Sequence, residues 1–162
     1  MPQQSIFMDF VIRVNKLMEL ASTSDRQIKS NQAFSYLLCS SSRVAPLKKL
    51  TIPRLELCAA VLLAKLYKRV TNALHSIIDA SYLWTDSTVV LTWIQGPSHR
   101  WKTFVCNRVA FIQEKTSSAT WQHVSTQHNS ADLISRGADP TMLANSTRWW
   151  NGPEWITMGI KQ

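Results

Sequence analysis

Ten carboxylates are spread through the 162 residues, and three of them sit where an apolar element begins or ends: Glu56, Asp86 and Asp132. Asp86 follows the run Ala80–Thr85 and precedes Thr88–Gln95, so it closes an expected strand and opens an expected helix. In open α/β sheets, ligand sites form outside the carboxyl ends of strands. Glu56 near one helix start and Asp132 near another could face the same edge, and the three together would make an acidic ligand site. The placement has a plain structural explanation too, because helix N-termini favour negative charge. Spacing alone does not separate the two.

The elements that must position these groups can be read from periodicity. Thr51 is a candidate N-cap, and Pro53 suits a first turn, where its missing N–H would be unpaired anyway. Leu55, Ala59, Leu62, Leu66, Val70, Ala73 and Ile77 then form an apolar stripe at helical spacing, with Glu56 beside it. Ala80–Thr85 and Thr120–Val124 read as strands, and Thr88–Gln95 as a short helix stopped by Gly96-Pro97. Trp101, Phe104, Val105, Val109 and Ile112 mark another helix. Asn129-Ser130 can cap a short helix over Ala131–Arg136, with Gly137 as its C′ residue. Phe34–Cys39 is a strand candidate, and Ser40–Lys49, with Pro46, reads as a loop. Upstream, Phe7, Phe10, Val11, Val14, Leu17, Met18 and Ala21 recur at helical spacing before the polar stretch Ser22–Gln32. Strands separated by helices predict an α/β chain with parallel pairing.

A composition 45% hydrophobic and 17% charged suits one folded domain with a real core. No apolar run reaches the length of a membrane span, and no basic, apolar, small-residue leader opens the chain. Neither membrane insertion nor secretion is expected, and an intracellular setting is. Cys39, Cys58 and Cys106 are odd in number and far apart, which suggests buried thiols in a reducing compartment rather than disulfides or a zinc site. The net charge of +8 suits a polyanionic partner. Lys48, Lys49 and Arg54 cluster before the Glu56 helix, and Arg100, Lys102 and Arg108 on the later one, interleaved with Trp93 and Trp101. Such residues could touch phosphates and sugars of an A-form-like hybrid. The competing reading is a solvated basic face with the tryptophans in the core.

Five ordered blocks carry a resemblance: Ser42-Arg-Val-Ala-Pro-Leu-Lys-Lys-Leu-Thr-Ile-Pro-Arg-Leu-Glu-Leu57, Leu83-Trp-Thr-Asp-Ser-Thr-Val-Val-Leu-Thr-Trp-Ile94, His99-Arg-Trp-Lys-Thr-Phe-Val-Cys-Asn-Arg-Val109, Asn129-Ser-Ala-Asp-Leu-Ile-Ser-Arg-Gly137 and Trp149-Trp-Asn-Gly-Pro-Glu-Trp155. In order and spacing, over roughly 34–156, they resemble the ribonuclease H domain of BEL/Pao-type retrotransposons. The resemblance implies a mixed sheet of order 3-2-1-4-5 with flanking helices, and hydrolysis of the RNA strand of RNA–DNA hybrids. It implies four carboxylates, in the order Asp, Glu, Asp, Asp, holding two Mg²⁺ ions, with Glu56 second, Asp86 third and Asp132 fourth. Hard Mg²⁺ prefers oxygen ligands, and two such ions ~3.5–4 Å apart can activate water and stabilise the departing oxygen. The family context also favours phosphate contact for the basic residues, and it implies reverse transcriptase and integrase regions of a Pol polyprotein as neighbours, in the cytoplasm within virus-like particles.

The sequence departs from the family at its start. No Asp-Ala-Ser segment is present, and Asp9 and Asp25 lack the expected neighbours, so the first catalytic Asp is unassigned. Phe34–Cys39 falls where the third strand belongs, so the first two strands are expected to be missing or replaced and hydrolysis to be impaired. The expected organisation is an atypical helical segment over 1–32, a partial ribonuclease H-like domain over 33–137, and an aromatic tail over 138–162 that leads toward an absent integrase region. The alternatives are a non-catalytic nucleic-acid-binding remnant and a structural connector. Many ribonucleases H carry a mobile His before the last Asp. His128 is read instead as a loop residue, and His75 and His99 as helix-end or surface residues.

Overall fold

The computed structural model describes residues 7–19, 31–44, 50–74, 81–131, 133 and 139–156, the backbone alone for 7–19, 31–34 and 42–44. The central unit begins with helix α1, Ile52–Ala73, which follows Thr51 in extended geometry and carries Pro53 in its first turn. Strand β3 (Tyr82–Thr85), helix α2 (Thr88–Gln95), helix α3 (Thr103–Lys115) and strand β4 (Thr120–His123) follow. β3 and β4 pair in parallel, from Tyr82↔Thr120 to Thr85↔His123, as strands joined through helices should.

These elements close on one core. Leu57, Leu63 and Tyr67 of α1 meet Leu83 of β3, Val90 and Ile94 of α2, Val109 and Ile112 of α3, and Trp121 of β4. Each such side chain contributes ~1.5–3 kcal/mol relative to its exposed state. Trp121, Thr116 and Gln113 bring polar groups into the core already paired. Trp121 Nε1 donates to Thr116 Oγ1 at 2.9 Å, and that hydroxyl donates to Ile112 O at 2.7 Å. Gln113 Nε2 donates to the carbonyls of Ile94 and Gly96, both at 2.8 Å, and fixes the end of α2 on α3.

The buried face of α1 is rotated from the expected stripe. Of the expected stripe Leu55 is buried, but beyond it Leu57, Ala60, Leu63, Ala64 and Tyr67 are buried, whereas Ala59, Leu62 and Leu66 are only partly covered and Ala73 is exposed. The run Leu57–Ala64 is apolar all the way round the helix, so periodicity does not choose a face; the partners do.

The N-terminal reading is corrected. Phe7–Glu19 is not a helix but strand β1, paired antiparallel with β2, Asn31–Val44, from Phe7↔Val44 to Glu19↔Asn31. The register shifts between Ile12 and Arg13. Met8, Phe10, Ile12 and Val14 recur every second residue, so a strand period is superposed on the helical one. The β-branched Val11, Ile12 and Val14 favour the strand. The strand containing Phe34–Cys39 is therefore longer than expected and has a neighbour, and Ser40–Val44 belongs to it rather than to a loop. Among the described residues no strand joins the β1–β2 pair to the β3–β4 pair. α1 packs against β1 as well as α2 and α3.

Two short helices, α4 (Pro140–Ala144) and α5 (Thr147–Asn151), and a turn at Glu154–Ile156 end the described chain. Gly152 after α5 has φ 81°, where an L side chain would be strained. Cys39, Cys58 and Cys106 are free and half-buried rather than buried, and burial pushes the Cys39 thiol up from its ordinary value. No described helix is long and apolar enough to cross a membrane.

The rotated face gives a direct comparison. Leu57→Ala should cost ~2–5 kcal/mol, the range for emptying a closed core site, and Leu66→Ala clearly less. Urea denaturation of both variants checks the order, and equal losses would contradict this packing.

Candidate acidic site and basic face

Glu56 is held between two buried leucines, Leu55 and Leu57, and is itself half-buried. Its position in the first turns of α1 puts it beside the end of β3. Ser87 Oγ donates to Glu56 Oε2 at 2.6 Å, short enough for a charge-assisted bond. Ser87 is the N-cap of α2, and the same hydroxyl oxygen accepts from Val90 N at 3.2 Å. It is 6% exposed, so both bonds form away from water. Asp86, the residue before it, is half-buried, and its Oδ2 accepts from Asn129 Nδ2 at 3.3 Å.

Glu56 and Asp86 are thus brought to one edge, at the point where β3 gives way to α2. Asp132 lies outside the described residues. The segment leading to it is tied to this edge, because Asn129 holds Asp86 with its Nδ2 and accepts from Ala131 N with its Oδ1 at 3.1 Å. Arg148 Nη2 of α5 donates to the Asn129 carbonyl at 3.1 Å. Among the described residues no group of three His, Cys, Asp or Glu side chains is placed to hold a metal ion.

Sequence reasoning missed two of these roles. Ser87 carries a signal that could have found it, since a Ser before an apolar run is an N-cap signature. Arg148 carries none, because a bond across nineteen positions leaves no periodic trace. His128 is an exposed loop residue, as read, with its ring 3.0 Å from Ser125 Oγ, and His99 is exposed. His75 lies outside the described residues, and His123 is exposed at the end of β4.

The basic residues form a second feature. Arg54, Arg100 and Lys102 are exposed. The Arg54 and Arg108 guanidiniums lie 5.0 and 3.5 Å from the centroid of one ring, Phe104. Arg108 Nη1 also donates to Phe104 O at 2.9 Å. Contact with a ring face orients a guanidinium without neutralising it. Lys48 and Lys49 lie outside the described residues. Trp93 and Trp101 pack against the core, 6.3 Å apart.

A parallel strand pair under helices, with carboxylates where strand turns into helix, is the arrangement of a ribonuclease H-like domain. Residues 21–87 match the family model described as the Pao retrotransposon-like RNaseH-like domain. The matched segment contains Glu56, Asp86 and Ser87; the basic residues of α3 and Asp132 lie beyond it. Comparison with curated proteins and with solved structures gave no match.

Ser87→Ala removes both the cap acceptor and the donor to Glu56. It should cost ~1–2 kcal/mol of stability, measured by urea denaturation. Glu56→Gln, which keeps an acceptor for Ser87, should cost less.

Proposed function

We propose that this chain is a nucleic-acid-binding retroelement ribonuclease H-like domain whose acidic edge is a partial two-metal site for RNA–DNA hybrid. The observation that carries the reading is the meeting of Glu56 and Asp86, through Ser87, within the segment matched to the family.

The residues present suit Mg²⁺ in donor type. Glu56 keeps Oε1 and Asp86 keeps Oδ1 outside the hydrogen bonds that hold their other oxygens, and hard cations take carboxylate oxygens. When bound, such ions polarise the phosphoryl group and lower the pKa of a bound water. The chain's own part is positional. Ser87 fixes Glu56, Asn129 fixes Asp86, and Asp132 is the third candidate ligand. Arg54, Arg100, Lys102 and Arg108, with Lys48 and Lys49, are proposed to neutralise phosphates of the hybrid.

The first carboxylate of the family set has no counterpart in the sequence, and metal position governs phosphoryl-transfer rates. Hydrolysis is therefore proposed to be weak or lost while binding persists. Reverse transcriptase and integrase regions of a parent polyprotein are the proposed neighbours, in an intracellular setting.

Purified chain should bind RNA–DNA hybrid in low salt, with a log–log salt slope of about −0.7 to −0.9 per phosphate neutralised. Reversing Lys48, Lys49 and Arg100 to Glu should weaken binding for all sequences alike, because phosphate contacts carry no base information. No binding in low salt, or no effect of the reversal, would leave only the connector role. Added Mg²⁺ should give little or no cleavage. Robust Mg²⁺-dependent cleavage, abolished in Asp86→Asn, would overturn the impaired-site reading.

A further inference from the structure

The C-terminal segment makes contacts that a departing linker has no need of. Trp149 of α5 is 6% exposed and Ile156 is 7% exposed, so both are buried in the fold. Asn151 Nδ2 donates to the backbone carbonyl of Ser35 in β2 at 3.2 Å. The ring of Trp155 meets Trp84 of β3 edge-on, with centroids 5.7 Å apart. One stretch of about ten residues therefore touches both strand pairs, which no described strand joins. Trp84 lies two positions before Asp86.

A second line runs from the same segment into the acidic edge. Arg148 Nη2 donates to Asn129 O at 3.1 Å. Asn129 in turn spends its side chain on two partners, donating to Asp86 Oδ2 at 3.3 Å and accepting from Ala131 N at 3.1 Å. Its backbone amide donates to Ser125 O at 3.1 Å and Thr126 O at 3.2 Å, within its own turn, and its carbonyl accepts from Arg148, which ties that turn to α5. An amide side chain can hold a carboxylate in one orientation only if its own backbone is fixed. Residues 125–128 before it are exposed and supply little packing. The anchor from outside that turn comes from α5, which Trp149 and Asn151 seat against the fold.

We propose that Arg148 is a positioning residue for the acidic edge: by holding the Asn129 backbone it sets the side chain that orients Asp86, so that α5 is a working part of the site. This rests on the proposed role of Asp86 as a metal ligand only for its consequence in binding. The contact itself is testable without metal. Residues that orient a metal ligand typically affect affinity by ~10–100-fold.

The experiment uses the full chain and four variants: Arg148→Met, Arg148→Lys, Asn129→Ala and Asn151→Ala. Two properties are read, hydrogen exchange of the Ala131 amide with the carboxyl ¹³C shift of Asp86, and the affinity for Mn²⁺ alone. Thermal melts identify variants that remain folded. Arg148→Met and Asn129→Ala should both expose the Ala131 amide, shift the Asp86 carboxyl signal and weaken Mn²⁺ about tenfold. Arg148→Lys, which keeps a donor, should restore part of each and serves as the decisive variant if Arg148→Met does not fold. Asn151→Ala removes a seat of α5 on β2 but not the Arg148 bond, so it should move the melt more than the Asp86 signal. If Arg148→Met, or Arg148→Lys in its place, leaves Ala131 exchange and the Asp86 signal as in wild type, the proposal is overturned. If those signals change while Asp86→Asn binds Mn²⁺ as wild type does, Arg148 positions Asp86 as proposed and it is the metal-ligand reading that fails.

Discussion

The seating of α1 is the constraint on which the other features depend. Leu57, Leu63 and Tyr67 reach the core formed with β3, β4 and α3, while the same helix packs against β1. Rotating it by one residue would move Leu57, which is fully buried, toward solvent and draw Glu56 further in. A half-buried carboxylate already bears part of the desolvation cost of its charge, so the core fixes Glu56 at the boundary and leaves it no other low-energy place. The acidic edge is thus a by-product of apolar packing before it is anything else.

That edge also bears on the two readings of the carboxylates left open by spacing. Ser87 caps α2 and donates to Glu56, so Glu56 is linked to the positive end of that helix. Dipole compensation is met by this geometry, and the proposed gathering of ligands would use the same one. A negative group near a helix N-terminus is stabilised by up to ~1 kcal/mol at an exposed site, which helps offset the repulsion between neighbouring carboxylates. The arrangement can therefore persist without metal.

What could be read in the sequence was what repeats. α2 was bounded by Gly96-Pro97, strong punctuation, and the structure places it at Thr88–Gln95 as expected. β3 and β4 were short apolar runs in the expected order, and their parallel pairing followed from the helices between them. The failures have physical causes. Phe7–Glu19 satisfies two periods at once, and its pairing with β2, a long-range contact, decides between them. The face of α1 was hidden because its first half is apolar all round. Of the site, residue types and positions were legible, while the bonds that hold them were not. Ser87 to Glu56 spans 31 positions and Asn129 to Asp86 spans 43, and nothing periodic links such pairs.

The two strand pairs raise a last point about where rigidity comes from. A two-stranded sheet is marginal in water by itself, and among the described residues each pair stands without a strand from the other. The four-residue strands of the β3–β4 pair could not hold a site by their ladder alone. They are held instead by helices, α1 with α2 and α3 in the core, and by the contact of Trp155 with Trp84 of β3. In an unbroken sheet the strands would define the edge and the helices would cover it. In this chain the order is reversed. Helix packing sets the distance between Glu56 and Asp86, and the C-terminal segment reaches both strand pairs. Mutations that loosen helix contacts should therefore be felt at the acidic edge before the strands separate, because the edge inherits its geometry from α1 and from the cap of α2, not from a continuous ladder.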